Sequence, residues 1–188
     1  MKRILLCITG ASGAIYGVRL LRKLKKMGHE VHLILSSWGS ETLEHEMGIK
    51  RSDLEHEADK SYDQTEMAAG PASGSFPLDA MAVVPCSMKT LAGIANGYAE
   101  NLILRAGDCS LKEKRPLVLV PREAPYNLVH IENMSKATKA GASILPASPA
   151  FWHKPQTIED LADSVVDRVI SHLGVTLDSD IEWTGMSD

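Results

Sequence analysis

Five short apolar runs rich in β-branched residues alternate along this chain with helical stretches, and that alternation leaves few folds open. The runs cover 4–9, 31–36, 80–85, 116–121 and 142–145, and the helical stretches 12–27, 38–46, 87–97, 127–140 and 157–173. Each run is continuously apolar, as expected of a strand covered on both faces. The pattern predicts an α/β fold with three layers, a Rossmann-like arrangement of a mainly parallel central sheet between helices. The 188 residues suit one domain with a full core, so 1–188 reads as a single unit. Residues 47–76 are polar and poor in strand signals, and they run into GPASGSFP (70–77). They read as an excursion with a flexible tip that could serve as a lid. The acidic tail 174–188 carries Trp183, which suits docking on a neighbouring subunit or closure over a site.

Bulk properties narrow the function. A net charge of −4 gives non-specific nucleic-acid binding no support. No apolar run approaches the roughly 20 residues of a membrane helix. The start, MKRILLCITG, imitates a signal peptide briefly, but GASG interrupts it where the apolar region should continue. A cytoplasmic protein is expected. The 3 cysteines, Cys7, Cys86 and Cys109, are widely spaced and fit reduced thiols. There is no CxxC pair and no HExxH motif. His130-Ile131-Glu132 resembles half of a zinc-deaminase signature, but Pro85-Cys86 continues as Ser-Met-Lys and the second half is missing. No metal is expected.

Parallel sheets bind ligands beyond the carboxyl ends of their strands. That rule selects GASG, LSSW, PCSMKT, PREAP and PASPAFWHKP. GASGAIYG (10–17), between the first strand and the first helix, invites a phosphate reading. It departs from the dinucleotide pattern GxGxxG, because Ser12 stands where the second glycine would fall. The second strand also ends Leu35-Ser36-Ser37, without an acid for a ribose diol. Both departures favour a mononucleotide such as FMN over NAD. Tight strand-to-helix packing alone would also account for the glycines. Gly10-Ala11-Ser12-Gly13-Ala14 approximates a nucleophile elbow, but it follows the first strand of a chain short for that hydrolase fold.

Two further stretches bear chemistry. In LKEKRPLVLVPREAP (111–125), Arg122 and Glu123 follow a buried strand between Pro121 and Pro125. Arg122 could grip a phosphate, and Glu123 could move a proton. An ion pair buried there would be expensive unless it were used. Lys112 and Arg105 could equally be solvated helix residues. In PCSMKT (85–90), Ser87 and Thr90 could meet a phosphate or flavin carbonyl at a helix start, or simply cap it. Cys86 reads as a reactive thiol or as core.

Taken together, TGASGAIYG (9–17), ASGSF (72–76), PCSMKTLAGIANGYAENL (85–102), RAGD (105–108), LKEKRPLVLVPREAP, HIENM (130–134) and PAFWHKPQ (149–156) resemble the flavin prenyltransferase family, the UbiX type. The motifs run in order over nearly the whole chain. The resemblance implies an FMN-binding flavoprotein fold assembled as a dodecamer. It implies transfer of a dimethylallyl group from dimethylallyl phosphate to N5 and then C6 of reduced FMN. The product, prenylated FMN, would serve UbiD-type decarboxylases, and no metal would be needed.

The resemblance also assigns roles. Gly10, Ala11, Ser12, Ser36, Ser87, Thr90 and Arg122 would hold the flavin, with Ser12 beside N5. Ser73, Gly74, Arg105, Lys112 and Arg122 would take the prenyl phosphate, Trp152 would contact that phosphate in place of the usual tyrosine, and Trp183 would close over the site. Ser12, Glu46, Glu123, Lys112 and Arg122 would be catalytic, Glu46 reaching in from a neighbouring subunit. Phe151-Trp152-His153-Lys154-Pro155 departs from the family, where many members carry a tyrosine at position 152. An indole N–H donates a hydrogen bond but exchanges no proton. Two other readings remain: an FMN-dependent cysteine decarboxylase, whose PASANT-type motif is PCSMKT here, and a module that only stores FMN.

Overall fold

The computed structural model describes residues 1–177. Six parallel strands form one sheet in the order β3-β2-β1-β4-β5-β6. They are β1 (Arg3–Ile8), β2 (Glu30–Leu35), β3 (Lys60–Asp63), β4 (Ala80–Cys86), β5 (Leu117–Pro121) and β6 (Ser143–Ile144). The helices are α1 (Ala14–Lys26), α2 (Ser37–Met47), α3 (Arg51–Glu57), α4 (Met88–Ala95), α5 (Leu102–Lys112), α6 (Leu128–Ala140) and α7 (Ile158–His172).

The pleat of β1 divides the core. Ile4, Leu6 and Ile8 pack with Val18, Leu21 and Leu24 of α1 and with Val165 and Val169 of α7. Leu5 and Cys7 face the other way, toward Leu91 and Ile94 of α4 and Ile103 and Leu104 of α5. Alternate residues of one fully apolar strand thus feed two separate cores, which is why the run shows no polar alternation. Cys7, Cys86 and Cys109 are free and buried. Burial lifts the Cys86 thiol to about 12 and Cys7 higher still, so both behave as core and neither as a nucleophile.

All five expected strands form within a residue or two of the expected bounds. The excursion 47–76 is different from its sequence reading. It holds α3 and the edge strand β3, where a single residue of each, Leu54 and Tyr62, is buried. Its tip is no free lid. Pro71 is buried in a 3₁₀ turn, the Ala72 carbonyl accepts from Arg105 Nε at 3.0 Å, and the Gly74 carbonyl accepts from Arg115. Among the described residues no helix is long and apolar enough to cross a membrane.

Two glycines set how α1 meets the sheet. Gly13 caps the helix at φ 106°, a left-handed conformation that a side chain would strain. Gly17 lies so close to β4 that an added Cβ would fall 2.5 Å from the Val84 carbonyl oxygen and 2.7 Å from Ile8 Cδ1. A Gly17→Ala change gains up to about 1 kcal/mol of helix propensity. The forced shift against backbone costs about 1–3 kcal/mol. We therefore expect Gly17→Ala to lower the urea midpoint; a midpoint at or above wild type would show that the helix can slide.

Candidate functional site

The strand order turns back between β1 and β4, and the chain leaves these neighbours in opposite directions. A crevice opens there at the carboxyl ends. Its floor is fixed by Thr9, which is buried; its hydroxyl donates to the Pro85 carbonyl at 2.9 Å and accepts from the Ser87 amide at 2.8 Å. The sequence reading passed over Thr9.

Two helices begin at this crevice. Ser36 caps α2, its Oγ accepting from the Gly39 amide at 2.9 Å, and Ser87 caps α4, accepting from the Thr90 amide at 3.3 Å. First-turn amides have no acceptor inside their own helix, and both helix dipoles present positive charge here. A cavity of about 370 Å³ lies between them, bordered by Gly10, Ser36, Ser87, Lys89, Thr90 and Asn101. That volume lies within the ~300–1,000 Å³ usual for small-ligand sites. Hydroxyls, first-turn amides and the Lys89 ammonium are donors suited to a phosphate ester, so the residues fit FMN. Gln64 and Thr65 border the same cavity. They follow β3, and sequence reasoning missed them because it missed that strand.

The glycine-rich turn itself accepts a different anion. Glu46, from the last turn of α2, takes the Gly13 amide on Oε2 at 2.9 Å and the Ala14 amide on the same oxygen at 2.9 Å. It also pairs with the Ser12 side chain. Burial alone would raise the Glu46 pKa, but the Ser12 hydroxyl, the two amides and the Arg122 charge outweigh it and hold the carboxyl below its ordinary value. Glu46 therefore completes its own chain's turn, and the expectation that it arrives from a neighbouring subunit is corrected. The α1 N-terminus is filled from within, which leaves the phosphate to α2 and α4.

Arg122 crosses from β5 to this turn, and its Nε donates to the Ser12 carbonyl at 3.1 Å. Glu123 accepts from the Ala124 amide at 3.0 Å. Both side chains are exposed beyond the strand, and no ion pair joins them among the described residues. The argument from a costly buried pair does not apply to them. The segment after β6 brings Trp152 to the same end of the sheet, its ring edge-on to His153 at 5.6 Å.

The remaining expected residues lie elsewhere in this chain. Lys112 ends α5, and Arg115, just before β5, holds the Gly74 carbonyl. A Cβ on Gly74 would fall 2.7 Å from Lys112 Nζ. Ser73, Gly74 and Lys112 thus gather at the amino end of the sheet, opposite Ser12 and Arg122. Arg105, on α5, bridges Ala72 and Asp108. Trp183 lies outside the described residues. Among the described residues no three His, Cys, Asp or Glu side chains are grouped as a metal site would need.

The Flavoprotein family model matches residues 1–170. Flavin prenyltransferase UbiX of Methanothermobacter thermautotrophicus is 47% identical over 185 residues, covering 98% of this chain and 97% of the relative. A crystal structure of AnUbiX (PadA1) in complex with FMN and dimethylallyl pyrophosphate superposes with a TM-score of 0.96 at 42% identity, covering 99% of each chain. A dodecameric FMN-dependent UbiX-like decarboxylase from Escherichia coli O157:H7 gives 0.94 at 43% identity, covering 97% of this chain and 100% of that one. The peptidyl-cysteine decarboxylase EpiD, at 19% identity and a TM-score of 0.65, shares the fold alone.

The Glu46 geometry has a measurable sign. A carboxyl whose folded pKa is depressed stabilises the fold above its unfolded pKa and loses that contribution as pH falls through the folded value. Glu46→Gln keeps the shape and removes the charge at a helix N-terminus, so it should cost about 0.3–1 kcal/mol at neutral pH. In urea unfolding the gap to wild type should close below pH ~4, the ordinary carboxylate range. A gap of equal size at both pH values would mean the charge contributes nothing.

Proposed function

We infer, from a chain that belongs to the flavin prenyltransferase group of the Flavoprotein family, that it transfers a dimethylallyl group from dimethylallyl phosphate to N5 and C6 of reduced FMN. The carrying observation is the crevice: two capped helix starts beside a Ser12–Glu46–Arg122 unit whose carboxylate is held ionised. A cysteine decarboxylase is the weaker reading, since likeness to that group reaches the fold and no further.

Reduced FMN, when bound, supplies the nucleophilic nitrogen and carbon. The chain's own residues do the rest. Gly10, Ala11, Ser36, Ser87 and Thr90 border or approach the cavity and would seat the phosphate and ribityl chain. Ser12, hydrogen-bonded to Glu46, can pass its proton to that carboxylate and take one back. Glu123 is a second acceptor for the proton released when the new ring closes. Fixed cations stabilise the departing phosphate where its negative charge develops. Arg122 lies beside the crevice, but Ser73, Gly74, Arg105 and Lys112 do not. We propose that they face the crevice of another copy, so that the site is completed between protomers. The dodecameric relative supports this reading.

Prenylated FMN would pass to a UbiD-type decarboxylase. We read 1–188 as a single domain. Three buried free thiols favour a cytoplasmic location.

Anaerobic incubation with reduced FMN and dimethylallyl phosphate should release a flavin heavier by one five-carbon unit. Unmodified flavin from protein that binds FMN, with mono- and diphosphate donors alike, would overturn the assignment. Glu123→Gln should keep FMN and lose most turnover, about 10²–10⁴-fold for a positioned proton acceptor. Full turnover in that variant would remove Glu123 from the reaction.

A further inference from the structure

The stretch from Ala72 to Pro77 is held by three arginines, one on β1, one on α5 and one just before β5. Arg105 donates to the Ala72 carbonyl, Arg115 to the Gly74 carbonyl and Arg3 Nη1 to the Pro77 carbonyl at 3.2 Å. With its carbonyls so engaged, the turn leaves Ser73 and Ser75 exposed, their hydroxyls 2.9 Å apart. Lys112 Nζ stands against Gly74, paired at 3.1 Å with the Glu113 carboxylate, which faces Gly74 as well and which a phosphate would displace. Hydroxyls, an ammonium and nearby guanidinium charge form a surface suited to a phosphate monoester.

The same stretch carries one anchor side chain. Phe76 lies under the Arg3 guanidinium, 5.6 Å from ring centroid to Cζ, and against the His32 ring at 5.7 Å. Gly70 lies across it; a Cβ there would fall 2.5 Å from the Phe76 ring. The floor of this seat is a connected polar chain. The Tyr62 hydroxyl donates to His32 Nδ1 at 2.9 Å, and His32 Nε2 donates to Glu30 at 2.8 Å in the tautomer that satisfies both. Glu30 then pairs with Arg3 Nε at 2.8 Å. His32 and Tyr62 are buried, so the chain has little freedom to rearrange. Arg3 closes it through its amide, which donates to Asp79 at 2.7 Å.

We propose that Phe76, seated between Arg3 and His32, is a positioning residue that sets the Ser73–Gly74 turn to receive the phosphate of the prenyl donor. The inference rests on the reading of Ser73, Gly74 and Lys112 as the donor-side half of a site shared between copies. Phe76 touches no reacting atom. It acts by fixing the turn, and a displacement near 1 Å at such a turn can weaken its action by up to about 10²-fold.

The test is a kinetic split on the assembled protein. Phe76→Ala should raise KM for dimethylallyl phosphate about tenfold or more, with kcat at saturation within about twofold and FMN affinity unchanged. Phe76→Leu, which refills the seat, should recover most of the loss, and it carries the test alone with Arg3→Gln if the alanine variant does not fold. Ser73→Ala is measured in parallel. If it raises KM while the Phe76 and Arg3 variants do not, the positioning role is wrong and the half-site stands. If it leaves KM unchanged, the half-site reading and the role of Phe76 fall together. A Phe76 variant that loses FMN binding and donor affinity in equal measure marks a general structural role and also overturns the proposal.

Discussion

The pairing of β1 with β4 is the constraint from which the site follows. These strands lie side by side, Ile4 opposite Ala80 through Cys7 opposite Val83, although two strands and three helices separate them in sequence. One connection turns toward β2 and the other toward β5, so nothing fills the space above them. A polar gap at the top of a buried sheet would otherwise leave backbone groups without partners. Thr9 meets that need by binding the backbone on the β4 side, and the helix starts of α2 and α4 then face each other across a fixed width.

Within this frame the three helix N-termini around the crevice do not do the same thing. A helix start attracts an anion whether it comes from a ligand or from the protein. At α1 the protein supplies its own, Glu46. At α2 and α4 it supplies serine hydroxyls, which cap the helix without neutralising its field. The difference sorts the crevice into a half whose helix start is already met by a carboxylate and a half whose two helix starts are met only by hydroxyls, with Lys89 and Glu100 both at its border. A phosphate is repelled from the first and drawn to the second. In the proposed binding mode the carboxylate beside Ser12 would then lie away from the phosphate, where a proton acceptor is useful.

The sequence disclosed what depends on continuous apolar runs and lost what depends on single residues. β1, β2, β4 and β5 were legible because both of their faces are buried, and the short edge strand β6 because its apolar run follows a helix and a glycine. β3 and α3 were not, since KSYD and RSDLEHE commit one side chain each to the core and look like loop. The lid reading of 70–77 failed for a related reason. Gly, Ser and Pro suggest mobility, but the order there comes from arginines on β1, on α5 and before β5, distant in sequence, binding backbone carbonyls that no side-chain pattern reveals. Glu46 was picked out by resemblance, yet its partner was misjudged: in the chain order of α1, β2 and α2 nothing shows that α2 ends beside Gly13. The division of the expected site residues between the two ends of the sheet follows from topology. Lys112 precedes β5 and Arg122 follows it, so a strand's length separates two residues that lie ten apart in sequence.

Trp152 bears on how protons are handled in this site. A tyrosine hydroxyl at that place could both donate to the donor phosphate and return a proton; the indole N–H can only donate. An indole keeps a donor suited to a phosphate and offers no route for a proton. Two acceptors at this end of the sheet are Glu46, kept ionised by Ser12, the Gly13 and Ala14 amides and Arg122, and Glu123 on the loop after β5; Glu100 borders the cavity as well. The two differ in their surroundings. Glu46 spends its lone pairs on the turn, so it is a poor place to leave a proton and a good relay. Glu123 accepts from an amide of its own loop and is exposed, so it can release a proton to water. In the proposed transfer, tryptophan at 152 would shift the final proton acceptance to Glu123, with Glu46 relaying through Ser12.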